Sequence, residues 1–421
     1  MDGAGGDSAA DLFSRVLRGA EHESASEQSS SSAAAAVGGF LVCLDVPAAT
    51  EFGVDYEVFR TGSKFQGVKF LPLGIHFVVF RSREQEHGIR QGFFVHVERH
   101  AQVIVREWSL EKEELGPPRP SLNVDNLERA VLSFQLDSGL GPYPKQHLKT
   151  WQRLSNFMTP SVLQRSGVEF GAILLPGDAV EDAATSTKAQ EGVIPYFPDL
   201  PRTVRFTALQ KTRADLSAEA RTTYHFDRSE RLEELIQTDF GGDWKELIGE
   251  LQLSFLVFLQ LSSLAALEQW KQFIALLCSC EQALSTHVAL FLAFIKLFRT
   301  QLEQIPEDFF QDETTSENFL GPCLLSLLEL LEDDDAPPQL RQKAFHLRQL
   351  LASRFGWDAG AELLELDEFA PVVVPEDELR SAATDDVAPL PTATELQARQ
   401  QRQRDEEEAA NAAIAAAFLR S

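Results

Sequence analysis

Gly92-Phe93-Phe94-Val95-His96-Val97-Glu98-Arg99 decides how the first half of the chain is built. Phe93, Val95 and Val97 alternate with Phe94, His96 and Glu98, and a period of two places one set on a buried face of a β-sheet. Working outward, Phe40 to Val46, Val68 to Leu71, Ile75 to Arg81 and Gln102 to Trp108 are short apolar runs separated by Gly and Pro, and each predicts a strand. The brief Arg99-His100-Ala101 link predicts a hairpin. After the breaker Gly116-Pro117-Pro118-Arg119-Pro120 the period changes, with Leu127, Val131 and Phe134, then Leu148, Trp151 and Met158, at helical spacing. Residues 159–201 read as an irregular loop, and Thr203 to Ala208 as one more strand returning to the sheet. The expected first domain, 37–208, is β-rich with helices on its C-terminal side.

A linker over 209–227 leads to an all-helical domain over 228–360. Asp243 suits an N-cap for a helix in which Leu247, Leu251, Phe255 and Phe258 share a stripe. Leu267, Trp270, Ile274 and Leu277 form a second stripe, and Leu290, Phe294, Leu297 and Phe298 a third. Asn318 to Glu332 and Pro338 to Phe355 complete the set, the last opened by a proline that fits a first helical turn. Short connections imply antiparallel neighbours, so the expectation is an α+β chain whose second domain stacks helical hairpins.

The charge is uneven. In 421 residues, 38 Lys+Arg stand against 64 Asp+Glu, a formal net charge of −26. Residues 1–36 hold six acids and two arginines, a net of −4, in a Gly/Ala/Ser-rich context that predicts disorder; 361–421 hold fourteen acids and five arginines, a net of −9, and read as a flexible tail. This sign opposes a broad grip on nucleic acid, which needs a basic face that releases counterions. Ala33 to Leu44 is too short to span a bilayer and follows an acidic segment, so neither a membrane helix nor a signal peptide is expected. Cys43, Cys278, Cys280 and Cys323 are too sparse for a disulfide framework, and the expectation is a reduced, intracellular protein.

The chain offers no nucleotide-binding glycine loop, no HExxH and no GxSxG. Gly6-Asp7-Ser8 matches a fragment of a serine-protease signature but lacks the Gly-Gly continuation. His76, His87, His96 and His100 crowd the β region without a recognised ligand spacing, leaving a metal-dependent enzyme built on His76 and His96 as the opposing reading. Cys278 and Cys280, two apart on an expected helix, point away from each other. The acidic run Glu332 to Asp335 reads as a solvated helix end. No catalytic residue, cofactor or metal is expected.

One feature of the acidic tail asks for a partner. Ala370-Pro371-Val372-Val373-Val374 lies between acidic segments, with Pro375 after it, and a strand there must pair its backbone groups. Folding back on this protein's own sheet and adding to the sheet edge of another protein are both open. The final segment, Glu406-Glu407-Glu408 followed by an Ala-rich run to Phe418, is faintly similar to a ubiquitin-interacting helix and suggests a ubiquitin or vesicle-cargo adaptor as an alternative.

Thr50-Glu51-Phe52-Gly53-Val54-Asp55-Tyr56, Lys64-Phe65-Gln66-Gly67-Val68-Lys69 and Pro72-Leu73-Gly74-Ile75-His76-Phe77 resemble the N-terminal hallmark of the Aar-two splicing-factor family. Further blocks agree in order: Leu140 to Pro144 with Leu148, Lys149 and Trp151; Thr203 to Phe206; Gly249-Glu250-Leu251-Gln252; Trp270-Lys271; Ile305 to Phe310; Phe355 with Trp357-Asp358; and Ala370 to Val374. The resemblance implies a β-sandwich-like N-terminal domain and a VHS-like superhelical C-terminal domain. It also implies a non-catalytic assembly factor of the U5 snRNP, in cytoplasm and nucleus and monomeric outside its complex. Such a factor binds the large U5 scaffold protein through its RNase H-like and Jab1/MPN-like domains, delays helicase docking and is released on phosphorylation. By the same resemblance, Ala370 to Val374 adds to an intermolecular sheet.

Overall fold

Residues 38–82, 89–177, 179–180, 204–209, 226–305, 319–333 and 336–357 are described in a computed structural model. Strands come first: β1 (Gly39–Leu44), β2 (Glu51–Val54), β3 (Glu57–Arg60), β4 (Gly67–Leu71), β5 (Gly74–Arg81), β6 (Gln91–Val97), β7 (Val103–Ser109) and β8 (Glu114–Gly116). They are followed by α1 (Val124–Leu132), β9 (Leu140–Pro142), α2 (Leu148–Ser155), α3 (Pro160–Arg165), β10 (Ala179–Val180) and β11 (Val204–Arg205). Helices make up the rest: α4 (Ser229–Thr238), α5 (Trp244–Leu261), α6 (Leu264–Leu277), α7 (Glu281–Thr286), α8 (Val288–Leu302), α9 (Leu320–Glu332) and α10 (Pro338–Phe355). The fold is α+β, an N-terminal domain of two main sheets followed by a helical region.

The sheets run β8-β7-β1-β4-β9 and β3-β2-β5-β6. Leu41 and Cys43 of one sheet meet Val78, Phe80, Phe93 and Val95 of the other, which is the interior of a sandwich. The opposite face of the first sheet places Phe40 and Val42 under Val131 and Leu127 of α1. The opposite face of the second is covered too, because Ile75, Phe77, Val79 and Phe94 share a core with α2, α3 and the later helices. Strands buried on both faces read as continuous apolar runs rather than alternating ones, which is why Ile75–Arg81 shows so little polar punctuation.

α5 is the axis of the helical region. Thirteen of its eighteen residues are buried, the signature of a helix enclosed on all sides. Asp243 caps it by accepting from the Lys245 amide at 2.9 Å. Consecutive helices α5 and α6 pack side by side, as do α9 and α10, while α2 and α3 of the N-terminal half lie against α5. At Gly249 a Cβ would meet the Phe157 carbonyl at 2.5 Å and the Val162 side chain at 2.6 Å, so only glycine permits this approach.

The structure departs from expectation at four places. β6 and β7 do not form a hairpin. They belong to different sheets, and β7 pairs in parallel with β1, so residues 98–102 form an arch between layers. Gln102 stabilises the arch by accepting from the Glu98 and Arg99 amides and donating to the His96 carbonyl. The strand expected over Thr203–Ala208 is seen at Val204–Arg205, where among the described residues β11 pairs with β10 and not with a main sheet. Within the expected loop 159–201, Thr159 caps α3, and Leu174 bridges to Gly92 at the β6 edge. Cys278 and Cys280 are not on one helix: they sit at the C-cap of α6 and the N-cap of α7. Sequence periodicity also missed the β2–β3 hairpin, whose strands are only four residues each. Residues 1–36 and 361–421, assigned above to disorder and a flexible tail, lie outside the described residues.

Two glycines separate close packing from helix propensity. Gly249→Ala should destabilise the protein by about 1–3 kcal/mol through overpacking, whereas Gly321→Ala in α9, with nothing within 4 Å of the new methyl, should stabilise by up to about 1 kcal/mol. Urea denaturation of both variants checks this; equal effects of one sign would contradict the packing at Gly249.

Candidate functional site

The most concentrated polar chemistry among the described residues lies where the β2–β3 turn, β5 and the helices meet. Asp55 occupies the turn with φ of 59°, a left-handed conformation that Asp tolerates. Its buried carboxylate accepts from His76 Nδ1 at 2.7 Å, the Tyr143 hydroxyl at 2.6 Å and the Phe77 amide at 2.9 Å. His76 Nε2 also lies 2.8 Å from the Pro72 carbonyl, which can only accept. Both contacts are satisfied together when both ring nitrogens carry hydrogen, the imidazolium form paired with Asp55. Burial opposes that charge, but the field of Asp55, its hydrogen bond and the Pro72 carbonyl together raise the His76 pKa above the ordinary value. Burial, and then Asp55, push the Tyr143 phenol up, which keeps it a donor.

Helices lock onto this cluster. Gln260, at the end of α5, donates to the Asp55 carbonyl at 2.9 Å, and Trp151 of α2 donates its indole N–H to the Ile75 carbonyl at 2.9 Å. Two turns earlier on α5, Gln252 accepts from the Phe157 amide and donates to Asn156 Oδ1 and the Arg153 carbonyl, satisfying the end of α2. Glu250, only 1% exposed, accepts from the amide and hydroxyl of Thr207, from Gln269 and from Arg165. Burial nonetheless raises its pKa above the usual carboxylate range.

The residues singled out from sequence fall apart as a catalytic group. The cross-strand partner of His96 is Ile75, so His76 and His96 face opposite sides of the second sheet and cannot share an ion. His96 stacks on Phe170 instead. Among the described residues no group of three His, Cys, Asp or Glu could hold a metal, and no helix is long and apolar enough to cross a membrane. Cys43, Cys278 and Cys280 are buried thiols whose pKa values burial drives up, and Glu332 is engaged by Arg348. Ala370, Pro371, Val372, Val373 and Val374, His87 and the Ala-rich run after Glu406 lie outside the described residues.

A family model described as the AAR2 N-terminal domain matches residues 37–167, and one described as the AAR2 C-terminal repeat region matches 204–360. The chain belongs to the AAR2 family. It is 32% identical to the protein AAR2 homologs of Mus musculus and Homo sapiens over 364 residues, covering 80% of this chain and 93% of each relative. To that of Caenorhabditis elegans it is 30% identical over 344 residues, 76% of this chain and 94% of the relative. Several of the blocks that carry the AAR2 resemblance meet at the junction: Asp55, Gly249, Glu250 and Gln252 contact the other half of the chain, while His76, Tyr143 and Trp151 hold Asp55 and β5 in place beneath them. Sequence reasoning quoted these residues without seeing that they meet. The available signal was polarity out of place, since Glu250, Gln252 and Gln260 interrupt an apolar helix and must find buried partners.

Because the folded-state pKa of His76 is raised, its stabilising contribution is complete below the unfolded value of about 6.5 and is lost as pH rises through the raised value. His76→Gln should cost about 3–5 kcal/mol near pH 6 by stranding Asp55, and the gap to the parent protein should narrow as pH rises through the raised His76 value. Urea denaturation across that range measures both; a gap independent of pH would mean that His76 is neutral.

Proposed function

We propose that this protein is a non-catalytic pre-mRNA splicing factor that acts in U5 snRNP assembly. In this reading it binds the large U5 scaffold protein, through that protein's RNase H-like and Jab1/MPN-like domains, and delays helicase docking. The observation that carries it is family membership over both halves of the chain in order, 37–167 and 204–360. The junction supports a binding role. Its titratable groups are buried and engaged in holding the fold, so none is free to act on a substrate.

Physically, α5 holds the two halves in one body, so surfaces on each reach a large partner in a fixed relation and lose little freedom on binding. The valine run Val372 to Val374 adds a strand to a sheet of the scaffold, and its tether to the folded body raises its effective concentration. The excess of 64 acids over 38 bases directs the protein to basic protein surfaces and opposes simultaneous occupancy by RNA. Such a factor works in the cytoplasm and the nucleus, as a monomer outside its complex.

Affinity-purified full-length protein should recover U5 snRNP proteins; recovery of ubiquitin or membrane-coat proteins in their place would overturn the reading. Removal of residues 369–421 should weaken binding to the isolated Jab1/MPN-like domain by about tenfold or more, as expected when a tethered contact is lost. Unchanged affinity on titration would remove the tail from the mechanism.

A further inference from the structure

Several described cations are paired with carboxylates. Arg81 and Arg90 hold Glu51, Lys69 holds Asp137, Lys271 holds Glu268 and Arg348 holds Glu332. Lys149, Arg153 and Lys296 are different. They line one cleft of about 510 Å³ between α2 and α8, the remaining lining residues are neutral, and none of the three meets a carboxylate among the described residues. In a chain with 64 acids, three cations around one cavity that no described carboxylate neutralises give the described surface a local positive site.

The cleft has a floor as well as a rim. Lys149 and Arg153 are four apart on α2 and share a face, and Lys296 stands on the α8 side. All three are exposed, whereas Phe157, Leu292 and Leu297 between them are half-buried or buried. We propose that this cleft docks an acidic peptide segment of a partner protein, with its carboxylates on Lys149, Arg153 and Lys296 and an aliphatic or aromatic side chain on the Phe157, Leu292 and Leu297 floor. Charge complementarity selects the acidic residues, and the apolar floor selects a peptide over a polyanion. A nucleic acid would present a charge at every nucleotide to a molecule of net −26 and gain only three neutralised phosphates. The site is independent of the tail strand and of the identity of the scaffold. It straddles the seam between the halves of the chain, so it exists only while α5 holds α2 and α8 together.

The test is fluorescence anisotropy of the full-length protein with a labelled peptide, EDLFDELLEE. Binding is expected with Kd of about 1–100 μM, falling with added salt, as for small interfaces with exposed charges. The double variant Lys149→Glu/Lys296→Glu should bind about tenfold or more weakly, while Lys64→Glu, outside the cleft, should bind as the parent does. The single variant Lys296→Gln should give a smaller loss, and circular dichroism confirms that each variant is folded. Replacing the peptide's acids by amides, or its Leu and Phe by Ser, should each weaken binding. The proposal is overturned if the double variant binds the peptide like the parent, if the amide peptide binds equally well, or if the peptide fails to bind while labelled oligouridylate binds in a manner abolished by the double variant.

Discussion

The architecture depends on how closely α5 approaches the N-terminal half. At Gly249 the helix backbone comes within van der Waals reach of the Phe157 carbonyl and Val162, and a side chain there would hold the two apart. That approach brings Glu250 and Gln252, on either side of Leu251, within hydrogen-bond range of Thr207 and of the end of α2. It also carries Gln260, about two turns further on, to the β2–β3 turn. One short glycine contact and three polar side chains on a single helix therefore join parts of the chain that sequence patterning separates into two domains.

Buried polar groups are expensive unless each finds a partner. Here they are arranged as a chain, with Tyr143 and His76 on the Asp55 carboxylate, Asp55 bonded through its backbone to Gln260, and Glu250 shared among Thr207, Gln269 and Arg165. Apolar packing alone would tolerate sliding of α5 along the N-terminal half. Directional bonds at three points along it do not, and they fix the register of α5 against Thr207, the end of α2 and the β2–β3 turn. The same logic explains why the histidines, which invite a metal reading from sequence, serve structure: His76 already spends both nitrogens on Asp55 and Pro72.

Much of the fold was legible. The period of two around Phe93 and Val95 and the helical stripes of α5, α6 and α8 mark elements that the structure contains, and Asp243 caps α5 as its residue type predicts. What failed was long range or too short to have a period. Nothing in Arg99-His100-Ala101 distinguishes a hairpin from an arch; that is decided by β1, which takes β7 as a parallel neighbour. The strands β2, β3 and β11 are too short for alternation to register. The polar junction was half visible, as glutamines in an apolar helix, but their partners lie up to 205 positions away, and only the folded chain shows who they are. The Ala370–Val374 run, read from sequence as a strand, lies outside the described residues.

The shared core has a consequence for how the protein is made. The second sheet is complete in sequence at Val97, yet the core that its outer face shares, with Ile75, Phe77, Val79 and Phe94, is not complete until α2, α3 and then α5, which ends at Leu261, have been made. At ordinary translation speeds that interval is on the order of ten seconds. During it, α2 and α3 are available to cover part of that apolar face, and the remainder stays open to water until the later helices emerge.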